Sequence, residues 1–387
     1  MSVTTTHIFI VDVVTLKYHL EYQFAGTGAK ETYVDFNANP NTGLNATVEN
    51  NLVSMIADSQ RVRKGDYVVF YLQQNIQSGI YEGKFFGIFR IKEGNSFLDN
   101  NDSSQFLNKE LIKSLTFRTL IEPDQVYPVG VTEWEALDEI KHIQSPHQML
   151  WSLIYRKLKG NRGNTMITRY ESDRLFKLIR NKNGGKTLNS QGFTFDIATQ
   201  EIEPTDETLK YVGRKDAIDV LPRLIKKFND SKAFETHLQA YIVQNIGRNT
   251  NSSLDKCLLD NSTLDWIGNE VSCGVGMQRI DVMLSLNKKD VKTVLPIELK
   301  AKTATEDNVR QLQRYVNWLE QYYIPNNISD ICPVLISQII QSKHTLSYRS
   351  LVEEFRQFNK NNSTCLPLVY IEYGIHNNFL EFAKVTY

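Results

Sequence analysis

The sequence predicts a mixed α/β protein: a β-barrel-like N-terminal part with some helices, and a C-terminal mixed sheet flanked by helices. Three observations carry this. Strand-like runs dominate residues 1–93, an acidic composition shift falls at 196–207, and strands alternate with amphipathic helices from residue 216 onward.

A chain of 387 residues exceeds the usual size of one compact domain. The division expected is 1–190, a linker over 191–215, and 216–387. The runs HIFIVDVV, GDYVVFYLQ and GKFFGIFRI are rich in β-branched and aromatic residues and bounded by turn residues. A polar loop over 94–108 precedes another strand candidate, LTFRTLIEP. Helices are expected from Trp134 to about Arg180, with Thr168 and Glu171 spaced as a capping box. Within the proposed linker, residues 196–207 hold five acids and Pro204 but no lysine or arginine. Beyond it a helix is expected over about 216–247. Strands follow at NEVSCGVG, RIDVMLSL and TVLPIELKAK, then a helix over Glu306–Tyr323 opened by Thr303 and Glu306, a strand at PVLISQII, a helix at 347–359, and strands at PLVYIEYG and FLEFAKV.

Composition excludes several classes. Lysine plus arginine equals aspartate plus glutamate at 44 each, so any charge signal is local. No apolar run approaches the roughly 18–20 residues of a membrane span. The N-terminus lacks the basic start of a signal peptide, and four cysteines without a CxxC pair argue for a reducing cytoplasm over a zinc site or disulfide framework. NGGKT resembles the end of a phosphate-binding loop, but Arg180 stands where the leading glycine belongs. Between Trp151 and Ser190, ten basic residues face two acids. They include Lys157, Lys159, Arg162, Arg169 and Arg174, interleaved with aromatics. Clustered cations suit phosphate binding, and exposed aromatics suit base stacking. DNA is therefore the expected partner.

The chemistry concentrates in RIDVMLSLNKKDVKTVLPIELKAK. A hairpin symmetric about Lys289 and Asp290 sets Asp281 opposite Glu298, with Cβ atoms about 4.5–5.5 Å apart. Lys300, two residues on, shares that face. A lone Glu-x-Lys on a strand is usually a solvated salt bridge, but these strands carry Ile280, Val282, Leu295, Ile297 and Leu299. Two carboxylates there suit Mg²⁺, or Mn²⁺, which neutralises phosphate charge and acidifies water. In the following helix Val309, Leu312, Val316, Leu319 and Tyr323 form a buried stripe, with Gln311 and Tyr315 together on its flank.

RIDVML, PIELKAK and QLQRY in a helix resemble the PD-(D/E)xK nuclease superfamily, and more narrowly its RecB-like branch represented by NucS/EndoMS. The resemblance covers roughly residues 230–325. It implies a restriction-endonuclease-like fold, Asp281 and Glu298 as metal ligands, Lys300 as catalytic lysine, and Gln311 with Tyr315 as a QxxxY pair. It also implies a helical acid at Glu235, for which Glu270 competes. The N-terminal half does not resemble the NucS N-terminal domain. KGDYVVFYLQ followed by GKFFGIFRI resembles the EVE/YTH/PUA-like readers of modified bases. That implies an aromatic base pocket, with Trp134, Trp151, Tyr71 and Phe86 as candidates. The expected protein is a Mg²⁺-dependent restriction endonuclease acting as a homodimer. A repair nuclease for mismatched, branched or single-stranded DNA, or an inactive nucleic-acid-binding protein, are the alternatives.

Overall fold

The computed structural model describes residues 5–28, 44–111, 113–150, 163–273, 278–323 and 330–387. Two sheets organise them. The first has eight strands: β1 (Thr6–Val11), β2 (Phe24–Thr27), β3 (Tyr67–Leu72), β4 (Lys84–Ile91), β5 (Phe97–Leu98), β6 (Phe117–Pro123), β7 (Val131–Thr132) and β8 (Asn164–Ile167). Its main path runs β2-β6-β4-β3-β1-β8, with β5 on β6 and β7 on β4. It curls as a half-barrel around Phe70, Phe86, Phe89 and Leu16. A hairpin of β9 (Gly192–Asp196) and β10 (Glu201–Thr205) closes one side. The second sheet takes β11 (Thr263–Ser272), β12 (Arg279–Lys288), β13 (Val291–Leu299), β14 (Val334–Gln338), β15 (Val369–His376) and β16 (Phe379–Val385) in sequence order. Its β13-β14 and β14-β15 pairs are parallel and the others antiparallel. The mixed α/β class is as expected.

The helices are α1 (Val13–Glu21), α2 (Ala46–Gln60), α3 (Glu133–Asp138), α4 (Arg169–Lys182), α5 (Leu221–Asn229), α6 (Glu235–Asn245), α7 (Ser252–Leu258), α8 (Glu306–Tyr322) and α9 (Leu346–Asn361). No helix among the described residues is long and apolar enough to cross a membrane. All four cysteines are free thiols.

Four expectations need correction. Residues 1–93 contain two helices as well as strands, because Leu52, Val53, Ile56 and Ala57 recur at helical spacing behind the Asn45 cap. The stretch expected to be a linker is folded. Phe193, Phe195 and Ile202 bury themselves in the first sheet's core while the acids face outward, and Arg214 locks its end to Asp99 and Asp102. The single helix expected over 216–247 is two, α5 and α6, separated by Asp230–Phe234. Finally, α8 is capped by Thr305 and not Thr303, with the Asn308 side chain accepting the Thr305 N–H at 2.8 Å. The Thr168–Glu171 box forms as expected.

The two sheets are joined through α2 and a buried polar junction. Leu52, Val53 and Ile56 share one core with Leu238 and Ile242 of α6 and with Val282, Leu284 and Ile297 of the second sheet. Arg61, fully buried, reaches Asp58 at 3.2 Å, Asn164 Oδ1 at 3.1 Å, and Asn269 Oδ1. The Asn269 amide closes the circuit on Asp58 at 2.9 Å. Arg63 donates to the Val243 and Ile246 carbonyls, so its charge sits at the C-terminal, electronegative end of α6. Trp266 Nε1 donates to Ile167 O at 3.0 Å, tying β11 to β8.

His19 lies wholly inside the first sheet's side of this assembly, stacked on Phe70 at 5.3 Å and edge-on to Phe24. Neither ring nitrogen has a hydrogen-bond partner among the described residues. Burial, reinforced by the Arg118 charge, pushes its pKa down to about 3. Between that value and the ordinary 6.5 the unfolded chain binds a proton that the folded one refuses. Stability from this site is complete above 6.5 and drains as pH falls toward 3, at about 1.4 kcal/mol per pH unit. His19→Phe is expected to flatten that part of the stability profile, measured by urea titrations between pH 7 and pH 4. An unchanged slope would remove His19 as its source.

Candidate active site

The turn at Lys289 and Asp290 fixes the geometry. Both residues adopt left-handed φ, 53° and 68°, which matches the twist of a tight two-residue hairpin. Pairing then runs from Lys288↔Val291 to Val282↔Ile297 without a slip. The paired ladder ends there, one residue short of Asp281 and Glu298, which are the next residues on each strand. Val282, Leu284, Leu295 and Ile297 on these strands are buried. They hold the acid pair against the bend a surface hairpin would allow.

Glu298 is fully buried. Its Oε2 accepts the Tyr315 hydroxyl at 2.7 Å, and its Oε1 lies 2.6 Å from Lys300 Nζ. Asp281 Oδ2 accepts the Leu299 N–H at 2.8 Å, across the strand pair. Glu235, exposed at the first turn of α6, sits 3.7 Å from Lys300 Nζ and accepts from Ala301 N at 3.4 Å. Gln311 Nε2 donates to the Tyr315 hydroxyl at 2.8 Å. All six residues named from the sequence therefore converge: Glu235, Asp281, Glu298, Lys300, Gln311 and Tyr315. Glu270, the competing acid, is bound to Arg279 at 2.6 Å. Sequence reasoning missed two supports. Gln239, one turn after Glu235 on α6, donates to Asp281 O at 2.8 Å, and Tyr373 donates to Ala301 O at 3.0 Å behind the lysine. The spacing of four from Glu235 was the available signal for Gln239.

The electrostatics are those of a crowded acid pair. Burial raises the Asp281 pKa well above the ordinary range, and the neighbouring Glu298 charge adds to it. Burial also raises Glu298, opposed by Lys300 and the Tyr315 hydrogen bond. Burial alone would lower Lys300, but the Glu298 and Glu235 charges raise it overall. Lys300 is thus held as an ammonium at neutral pH, a donor and not a base. Among the described residues no three or more His, Cys, Asp or Glu side chains form a metal cage. The donor set is one buried and one half-buried carboxylate, hard oxygens that suit Mg²⁺ or Mn²⁺ completed by water.

Of the basic residues expected to meet DNA, Arg169 and Arg174 are described, both on α4. Trp151, Lys157, Lys159 and Arg162 lie outside the described residues. Arg174 is paired with Glu139 and so offers less to phosphate than expected. Arg169 is exposed at the start of α4. The barrel base pocket is corrected: Tyr71 and Phe86 are core residues, Tyr71 donating to Glu133 at 2.7 Å, and Trp134 is 60% exposed on the surface.

No family model and no curated protein matches the sequence. Among solved structures, the human THYN1 protein in complex with 5-methylcytosine-containing DNA is similar at 10% identity and a TM-score of 0.26. The match covers 45% of this chain and 97% of that one. A score of that size relates no residue of one chain to a residue of the other.

Neutralising one carboxylate relieves the crowding. Asp281→Asn keeps an acceptor for the Leu299 N–H while deleting the charge facing Glu298. It is expected to raise the stability of the metal-free protein by about 1 kcal/mol. A rise in melting temperature with millimolar Mg²⁺ is expected for the parent chain and is expected to be absent in the variant. Differential scanning fluorimetry reads both; equal Mg²⁺ shifts in parent and variant would separate Asp281 from cation binding.

Proposed function

We propose that the chain is a metal-dependent DNA endonuclease whose active site is formed by Asp281, Glu298 and Lys300. One observation carries the reading: the buried Glu298 carboxylate and the half-buried Asp281 carboxylate lie on neighbouring strands of one hairpin, with Lys300 Nζ 2.6 Å from Glu298. A stabilising role does not explain this. Two like charges out of water raise the free energy of the fold unless a cation or a proton joins them. Sites that accept such a penalty are commonly catalytic.

A divalent cation held by Asp281 and Glu298 would supply charge neutralisation on the attacked phosphate and a more acidic water. The chain's own groups do the rest. Lys300 donates hydrogen bonds to the attacking water or a phosphate oxygen and stabilises the added negative charge. Tyr315, buried with its own proton retained by burial and by the Glu298 charge, fixes the Glu298 carboxylate. Gln311 fixes Tyr315 in turn, and Glu235 at the N-terminal end of α6 holds Lys300 from the solvent side.

DNA as substrate rests on the local charge. Arg169, Lys177 and Lys186 are exposed along and after α4, with no ion-pair partner among the described residues. A two-strand cut needs two such centres, so the restriction enzyme proposed here acts as a homodimer on a specific sequence or a modified base.

The expected outcome is loss of at least about a thousandfold in plasmid cleavage for Asp281→Ala, Glu298→Ala and Lys300→Ala. Retention of duplex by gel shift is expected in each. Chelation should silence the parent, and Mg²⁺ or Mn²⁺ should restore it. Running modified, plain and branched substrates side by side identifies the preferred DNA. Cleavage by the alanine variants at the parental rate would end the proposal.

A further inference from the structure

A cavity of about 510 Å³ opens at the seam between the two sheets. Its wall comes from three distant parts of the chain. Arg169 and Tyr170 stand at the first turn of α4, Asp265 and Trp266 on β11, and Trp318 and Tyr323 on and just after α8. The volume falls within the roughly 300–1,000 Å³ typical of small-molecule sites, and the lining mixes aromatic rings with charged side chains, Arg169, Asp265 and Lys292 among them. Trp266 and Tyr323 approach to 6.4 Å between ring centroids at 50°. Tyr170 is half-buried, with the Arg174 guanidinium 5.8 Å from its ring centroid and His147 edge-on at 5.6 Å.

We propose that this seam cavity binds a single nucleobase, with its phosphate on Arg169. The inference rests on the DNA-cutting reading for its biological sense but on its own observations for its chemistry. Flat aromatic walls select a planar ring, because stacking tolerates any base face. The polar groups suit a base edge better than a plain aromatic. Asp265 is buried, and its hydrogen bond is a long one, from Thr263 Oγ1 at 3.5 Å. It presents an acceptor to an exocyclic amino group. Trp318 is buried and its indole N–H has no partner among the described residues. Arg169 is exposed beside the cavity and has no ion pair among the described residues.

Position links the cavity to cleavage. Tyr315 of α8 touches Glu298, and Trp318 lines the cavity three residues later on the same helix. Eight residues separate Tyr315 from Tyr323, roughly 12 Å along a helix axis. A base turned out of a duplex, or a free nucleotide, would thus be sensed on the helix that fixes the Glu298 carboxylate. Removing a base from the stack is how proteins expose it to such a pocket.

The test uses the full chain carrying Asp281→Ala, so that cutting is absent while binding proceeds without metal. Deoxynucleoside 5′-monophosphates and the matching nucleosides are titrated by calorimetry, and duplexes by gel shift. Tyr170→Ala and the isosteric Asp265→Asn are each expected to weaken binding about tenfold, equal to about 1.4 kcal/mol. Arg169→Ala should weaken the monophosphates and spare the nucleosides. Melting temperatures within a few degrees of the parent show that the variants fold. Binding of free monophosphates that is lost in the variants identifies a nucleotide-sensing site. Duplex affinity that falls in Tyr170→Ala without monophosphate binding identifies a base taken from DNA. Neither effect, with monophosphates not bound below about 1 mM and duplex affinity unchanged, overturns the proposal. It would do so even if the Asp281-containing parent cuts DNA.

Discussion

A buried glutamate and a half-buried aspartate on neighbouring strands constrain the groups around them. Glu298 has no exposure to water, and Asp281 adds a second negative charge one strand away. Left alone, such a pair would take up a proton or bend the strands apart. The strands cannot bend, because Val282, Leu284, Leu295 and Ile297 are locked in the core beneath them. The surroundings instead supply compensation: an ammonium at 2.6 Å, a phenol at 2.7 Å, and a backbone N–H at 2.8 Å. Each compensating group has its own support, Gln311 behind Tyr315 and Tyr373 behind the Lys300–Ala301 backbone.

The N-terminal part is coupled to this centre more closely than a tethered module would be. The α2 helix belongs in sequence to the first half but in packing to the core of the second. Glu49 on its first turn receives His237 at 3.1 Å and Lys227 at 3.0 Å. Burial would raise the Glu49 pKa, yet these partners pull it down to about 2. His237 lies two residues after Glu235, so the anchor sits close to the acid that steadies Lys300. Together with the Arg61 circuit, this makes the arrangement of the two sheets part of the candidate site's geometry.

Much of the centre was legible because its spacing is local. A tight turn at Lys289 and Asp290 dictates the pairing of every residue on both strands, and a helix repeat brings Gln311 to Tyr315. The folded character of 191–215 was less legible, since its acids drew attention away from the inward alternation of Phe193, Phe195 and Ile202. The α2 helix was obscured for a related reason. Its apolar stripe is short, and its partner, α6, lies almost two hundred residues further on. The seam cavity had no sequence signature, because its wall is assembled from positions near 170, 266 and 320. Aromatic residues within the first sheet looked equally suited to a pocket, and burial decided against Tyr71 and Phe86.

The most direct measurement is an anomalous diffraction map from crystals of the parent chain grown with Mn²⁺ and a duplex with a cleavage-resistant linkage. The account predicts a peak touching both Asp281 and Glu298, with oxygens at about 2.1 Å, and a phosphate oxygen beside Lys300. A map with metal elsewhere, and Lys300 still closed on Glu298 while DNA is bound, would contradict it.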